Sequence, residues 1–159
     1  MKIQTTVYRD ANCLIASEII DPILEIMKSM TPEISKNSVS QVRDALLSGI
    51  MTEGWSRNAG LSHKSKITIS GYKNGIGLCI QTGNVSRIYA DLLKLQTLWV
   101  SSKITAGLII VPIKSNAIVL GSNLASYERL NTELDIFKHV ITMPLIVVGF
   151  DGLGGTQNA

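Results

Sequence analysis

Two continuous apolar runs constrain the fold of this chain more than any other feature of its sequence. The runs AGLIIVPI (106–113) and MPLIVVGF (143–150) contain no charged side chain. An uninterrupted apolar run of this length is typical of a strand buried on both faces of a sheet, which needs a covering layer on each side. Both runs contain a proline and are far shorter than the roughly 20 residues that cross a bilayer. We therefore expect central strands in a layered protein without a membrane span.

Four segments carry apolar residues at helical spacing. In the first, Pro22 either kinks the helix or follows Asp21, which then caps a second helix. The second segment starts at SVSQ (38–41), which resembles a capping box. Ser122 or Asn123 is expected to cap the last segment. The first, third and fourth of these predicted helices span residues 11–30, 85–100 and 122–134.

A short hairpin is predicted between the second and third helices. KITIS (66–70) and IGLCIQ (76–81) are typical of strands, and GYKNG (71–75) of the turn between them, because Asn74-Gly75 is a strong turn signal. The connection is so short that the two strands must be antiparallel. A hairpin followed by strand–helix–strand units predicts an α/β fold, a mixed sheet flanked by helices. We expect one domain over residues 1–151 and a flexible tail over 152–159.

The cysteine content and the N-terminal sequence bear on the cellular compartment. Cys13 and Cys79 are the two cysteines, which is too few for a disulfide scaffold. MKIQTTVYRD lacks the apolar core of a signal peptide. The expectation is a reduced, cytoplasmic protein.

The net charge of +3 conceals an uneven distribution. Residues 54–114 contain eight basic side chains and one acidic one, a balance of +7, whereas each flanking segment has a balance of −2. A basic segment between mildly acidic ones indicates a face that binds a polyanion. The plain alternative is a set of scattered, solvated lysines.

The middle of the chain resembles a known family. The run GLCIQTGNVSRIYADLLKLQ (77–96), followed by AGLIIVP (106–112), is similar to the BglII/BstYI branch of type II restriction endonucleases. This resemblance implies the PD-(D/E)xK nuclease fold and a prokaryotic origin. The positions that carry it are Gln81, Gly83-Asn84, Tyr89, Asp91-Leu92, Lys94, Gln96 and Gly107 to Pro112.

The same resemblance implies a metal-dependent site with two carboxylates, and both are missing. In the family pattern, a Glu stands two residues before the Gln, and a first acid stands nine residues before that Glu. Counted from Gln81, these positions hold Cys79 and Ser70. Mg²⁺ takes hard oxygen ligands, so a thiol and a hydroxyl are poor substitutes. Residues 54–90 contain no Asp or Glu, so a shift of register does not restore the site.

The nearest acids leave three functions open. Glu53 and Asp91 flank the gap, and an active Mg²⁺-dependent endonuclease would have to recruit them. The plainer expectation is that Asp91 pairs with Lys94 on a helix surface. In that case the chain is a catalytically degenerate DNA-binding protein with a role in restriction, anti-restriction or regulation. The third possibility is a module that binds or inhibits a protein partner.

The basic residues of the segment provide the predicted contacts with double-stranded DNA. Each lysine or arginine on a phosphate adds affinity that depends on salt and not on sequence. The resemblance also implies a homodimer. The predicted DNA-binding residues are Lys64, Lys66, Lys73, Asn74, Arg87 and Lys94.

Overall fold

The computed structural model describes residues 1–31, 33–36, 38–61 and 66–152. Its helices are α1 (Ser17–Ser29), α2 (Val39–Met51), α3 (Ser86–Val100), α4 (Lys114–Leu120) and α5 (Tyr127–Ile136). Its strands are β1 (Lys2–Tyr8), β2 (Ser56–Arg57), β3 (Gly71–Lys73), β4 (Ile76–Ile80), β5 (Ala106–Pro112) and β6 (Leu145–Asp151). A single 3₁₀ turn, Ala11–Cys13, precedes α1.

The six strands form one mixed sheet in the order β1-β6-β5-β4-β3-β2. Strands β4, β5 and β6 are parallel, and the other pairs are antiparallel. Every residue of β5 is buried. Its alternate side chains enter two separate apolar clusters, Leu108 and Ile110 on one face of the sheet and Ile109 and Val111 on the other. This double burial explains the continuous apolar run and confirms the predicted α/β fold.

The helices divide between the two faces of the sheet. Ile23 of α1 and Leu46 of α2 belong to the first cluster. Ile88 of α3 and Leu130 of α5 belong to the second. Within the described residues, no helix is long and apolar enough to cross a membrane.

The hairpin forms, but its first strand begins later than predicted. Asn74 and Gly75 have φ values of 48° and 81°, as the two central residues of a type I′ turn require. This two-residue turn pairs Lys73 directly with Ile76, so the strand must run straight into it. The prediction of a strand at KITIS was therefore wrong. Thr68 in that segment makes an isolated bridge to Gly60.

The ends of the helices also depart from the predictions. The first helix begins at Ser17 and continues through Pro22, so no second helix starts at Asp21. The capping box does not form, because the Ser38 hydroxyl accepts from Ser35 N at 2.8 Å and leaves α2 without a side-chain cap.

The last predicted helix begins later than its pattern indicated. Ser126 is the cap, and its hydroxyl accepts a hydrogen bond from Arg129 N at 3.4 Å. Ser122 and Asn123 lie in the preceding loop, where the Asn123 carbonyl accepts from Val85 N. The two proposed caps were therefore wrong.

Three elements had not been predicted. Strand β1 is an edge strand without a fully buried residue, so it has no apolar pattern. Strand β2 has two residues and α4 has seven, which is too short for a helical period to appear.

Candidate functional site

A cleft of about 480 Å³ opens where β4 ends and α3 begins. It is bounded by the start of α2 on one side and by α3 on the other. The residues that line it are Val39, Ser40, Arg43, Asn58, Thr68, Ile69, Ser70, Ile80, Gln81, Thr82, Gly83, Arg87, Ala90, Asp91 and Lys94. The tertiary structure thus gathers Ser70, Gln81, Arg87, Asp91 and Lys94, which had been singled out from the sequence, into one cavity.

Asp91 is the centre of a hydrogen-bonded network in this cleft. Its Oδ2 accepts from Gln81 Nε2 at 2.6 Å, and its Oδ1 accepts from Lys94 Nζ at 2.9 Å. The Gln81 Oε1 atom in turn accepts from Gly83 N at 2.9 Å. The Asp91 side chain is 10% exposed and that of Lys94 is 27% exposed. The pair is therefore part of the cleft, where water screens it less than it screens a pair on an open helix surface.

Ser70 also lines the cleft, but its side chain makes a hydrogen bond with the backbone. It is buried just before β3, and its hydroxyl oxygen accepts a hydrogen bond from Ile80 N at 3.0 Å. The Ser70 carbonyl accepts from Asn58 N at 3.2 Å. These bonds hold the end of β4 to the segment ahead of the hairpin.

Cys79 lies beneath the cleft and does not line it. The residue is 1% exposed and packs in the apolar cluster that contains Ile88 and Leu92. Burial raises the pKa of the Cys79 thiol well above its usual range, and the nearby Asp91 carboxylate raises it further. The thiol is therefore protonated at neutral pH, and a protonated thiol is a poor nucleophile and metal ligand.

The cleft is electropositive. Arg43, Arg87 and Lys94 line it, and Asp91 is the single carboxylate among the described residues that do so. Arg43 Nη1 is 3.8 Å from an Asp44 carboxylate oxygen. Across the described part of the chain, no carboxylate lies within ion-pairing distance of Arg87. The net charge of these lining residues is thus +2.

Comparison with known proteins gives the family. The family model described as restriction endonuclease BglII/BglIII matches residues 4–150. This chain belongs to the BglII/BglIII family of restriction endonucleases. The similarity to the BglII group inferred from residues 77–112 is thereby confirmed.

Two solved structures of BglII have the same fold. The crystal structure of BglII complexed with a DNA 16-mer aligns with a TM-score of 0.84 at 15% identity, covering 95% of this chain and 78% of that one. The crystal structure of free BglII aligns with a TM-score of 0.75 at 17% identity, covering 95% and 80%. Among curated proteins, no sequence matches this chain at a significant level.

A BglII-type nuclease requires a metal ion, and the residues of this cleft do not fit one. Among the described residues, no group of three His, Cys, Asp or Glu side chains could hold a metal ion. Both oxygens of Asp91 already accept hydrogen bonds, and the Gln81 amide is engaged at its oxygen and its nitrogen. Mg²⁺ requires several free oxygen ligands in octahedral geometry. This donor set offers too few of them.

The remaining predicted residues lie outside the cleft lining. Glu53 is not among the described residues that form it, and its backbone carbonyl accepts a hydrogen bond from Lys73 Nζ near the hairpin. Asn74 lies in the hairpin turn, and Lys66 is exposed. Lys66 and Lys73 are not among the described residues that line the cleft, and their contact with DNA stays a prediction. Lys64 falls outside the described residues.

The sequence reasoning missed Arg43. The residue lies one turn from the start of α2, on the same helix face as Val39. Its place in the cleft depends on the packing of α2 against the residues after β4, where Thr82 Oγ1 donates to the Val39 carbonyl at 3.5 Å. No local pattern indicates this contact, because the two segments are some 40 residues apart in the chain.

Proposed function

We propose that this chain binds double-stranded DNA at the cleft and does not cut it by the metal-dependent route of its family. The observation that carries the proposal is the pairing of the Asp91 carboxylate with Lys94. Lys94 neutralises this carboxylate, and Arg43 and Arg87 give the cleft a net positive charge. A cleft of this kind attracts phosphates but lacks the paired acids that would hold a metal ion against them.

The relatives support the DNA-binding part of the proposal. One aligned BglII structure is a complex with DNA, and that alignment covers 95% of this chain. The active-nuclease alternative requires Glu53 and Asp91 to act together. Only Asp91 lines the cleft, so this alternative lacks its second acid. A role in restriction, anti-restriction or regulation in the cytoplasm stays part of the proposal.

The DNA-binding proposal is tested by fluorescence anisotropy with a labelled duplex of mixed sequence over a range of salt concentrations. The test variant is Arg43→Gln with Arg87→Gln. Each neutralised phosphate contributes about −0.9 to the slope of log K against log salt, so two lost contacts should make the slope shallower by about 1.8. The association constant should also fall.

The matched control removes two charges at the other end of the sheet. Lys103 and Lys138 are exposed and precede β5 and β6, whose amino ends lie opposite the cleft. The variant Lys103→Gln with Lys138→Gln should keep the wild-type slope to within a few tenths. Equal slopes for the two double variants would reject the cleft as the DNA site.

The inactivity proposal is tested on plasmid and phage DNA of mixed sequence. The protein is incubated with Mg²⁺, Mn²⁺ or EDTA, and the DNA is run on agarose with and without deproteinisation. We expect a mobility shift that deproteinisation abolishes, and no fragments. Discrete fragments that appear with a metal ion and vanish in EDTA would show that the cleft supports catalysis after all.

An exposed apolar surface favours a second, compatible proposal, the homodimer. Leu93 and Val100 lie on α3 with exposures of 56% and 68%, and Ile136 and Val140 near the end of α5 have exposures of 68% and 60%. The rings of Tyr89 on α3 and Phe137 at the end of α5 pack edge to face, with their centroids 5.9 Å apart. Exposed apolar residues grouped in this way are typical of an interaction site.

The dimer is tested by light scattering coupled to gel filtration. Leu93→Lys with Val100→Lys should convert a dimer to a monomer, whereas Ile118→Lys, equally exposed on α4, should leave the mass unchanged. A monomeric wild-type chain would reject the dimer and favour another protein as the partner of this face.

A further inference from the structure

We propose that Lys94 is a built-in cation that takes the electrostatic role of the metal ion, so that the cleft binds DNA without any divalent ion. The inference rests in part on the proposed DNA binding. It starts from the mismatch between a family that requires a metal and a cleft whose residues do not fit one. Among the described residues that line the cleft, Asp91 carries the one carboxylate, and the ammonium of Lys94 pairs with it.

The contacts around Asp91 give this role a specific geometry. Lys94 follows Asp91 by three residues on α3, so its side chain reaches the carboxylate along the same helix face. The Nζ–Oδ1 distance is 2.9 Å, and Gln81 Nε2 holds the other oxygen at 2.6 Å. Every carboxylate oxygen in the described cleft lining thus has a donor from this chain.

Charge explains why such a group is needed. A carboxylate that is 10% exposed and faces a phosphate-binding cleft would repel DNA if it were unpaired. In a metal-dependent site a divalent ion removes this repulsion and also supplies the chemistry. The ammonium removes the repulsion only, which leaves a binding site without a catalyst.

An ordinary surface pair makes a different prediction. A solvated pair three residues apart is weak and is screened by water, so its loss would leave the affinity for DNA almost unchanged. The proposal predicts instead that removing the ammonium alone weakens DNA binding, because the carboxylate then repels phosphates, and that removing the carboxylate with it restores binding. The affinity of the double variant therefore separates the two interpretations.

The experiment compares wild type with Lys94→Gln, Lys94→Arg and the double variant Asp91→Asn with Lys94→Gln. DNA affinity is measured by anisotropy in EDTA and in millimolar Ca²⁺ at matched ionic strength. Wild type and Lys94→Arg should bind equally in both buffers. Lys94→Gln should bind about tenfold more weakly in both buffers, since a single unpaired charge now faces the phosphates.

The double variant is the neutral control. It lacks both charges, so its affinity should return to near wild type in EDTA. If the double variant binds as weakly as Lys94→Gln, Lys94 is a direct phosphate contact and the inference is overturned. Unchanged binding by Lys94→Gln, or wild-type binding that requires Ca²⁺, would overturn it as well.

A second readout does not depend on DNA. Thermal unfolding of the four proteins is followed in EDTA, and Lys94→Gln should melt at the lowest temperature, because it alone leaves the 10% exposed carboxylate without its ammonium partner. If no protein binds DNA in any buffer, the proposed function fails while this readout still decides the role of Lys94. A melting temperature of Lys94→Gln equal to that of wild type would overturn that role.

Discussion

Restoring the missing glutamate by the substitution Cys79→Glu should destabilise the protein in a way that depends on pH. The site is 1% exposed and is packed among apolar side chains of the second cluster. The introduced carboxylate would lie near Asp91, whose charge already acts on the Cys79 thiol. Lys94 can compensate only one of the two carboxylates, so one buried negative charge would stay unpaired.

The magnitude follows from this uncompensated charge. Leaving a buried charge without its partner destabilises a protein by about 3–5 kcal/mol. Burial and Asp91 both raise the folded-state pKa of the new group above its unfolded value of about 4.3. Below that unfolded value the group is neutral in both states, and its charge has no effect on stability. As the pH rises, stability is lost at about 1.4 kcal/mol per unit until the folded pKa is passed, near pH 6.5–8.

Urea denaturation at pH 4.5 and pH 8 measures this effect. Cys79→Gln is the matched control, because it has the same shape and the same overpacking but no charge. The free energies of unfolding of the two variants should be close at pH 4.5 and differ by about 3 kcal/mol or more at pH 8. Ca²⁺ should recover part of the loss for Cys79→Glu only. Equal stability of the two variants at pH 8 would refute the reasoning, since it would mean that the new carboxylate is solvated or paired.

Two further predictions concern the packing and the thiols. A Cβ added at Gly149 would lie 2.6 Å from a ring carbon of Tyr127, whereas one at Gly121 would meet Leu124 at an ordinary 3.6 Å. Gly149→Ala should therefore lower the free energy of unfolding by about 1–3 kcal/mol, and Gly121→Ala should be nearly neutral in the same chemical denaturation. Native protein should react with one equivalent of a thiol reagent at the exposed Cys13, and unfolded protein with two, because Cys79 is buried and its pKa is raised. Two fast equivalents in the native state would show that the Cys79 strand opens.

Local patterns were sufficient for the elements that form the centre of the fold. Strands β5 and β6, helix α3 and the Asn74-Gly75 turn follow from apolar runs, helical spacing and turn chemistry, and the structure confirms each of them. These signals are strong because burial on both faces and a positive φ restrict the choice of residue at each position. The family resemblance rests on this same stretch.

The edge strand β1 and the position of Arg43 could not be predicted from local sequence patterns. Strand β1 is held by antiparallel pairing with β6, more than 130 residues away in the chain, and its side chains are only partly buried. A pattern that depends on one covered face cannot show in a strand with no fully buried residue. No local feature indicated that Arg43 lines the same cleft as Gln81 and Arg87, because α2 reaches these residues only through packing between distant segments.

Some properties of the candidate site follow from the sequence alone, and others depend on the tertiary structure. The sequence alone determined that residues 54–90 contain no carboxylate, so the two acids of the family pattern are missing whatever the chain folds into. Only the tertiary structure decided the fate of the acids that flank this gap. It brings Asp91 to Gln81, ten residues before it in the chain, because a short connection links β4 to α3 and the two elements pack together. It leaves Glu53 outside the cleft lining, because that residue follows the end of α2 opposite the cleft. The sequence determines which charged side chains are present, but whether a charge is paired depends on distances that only the tertiary structure determines.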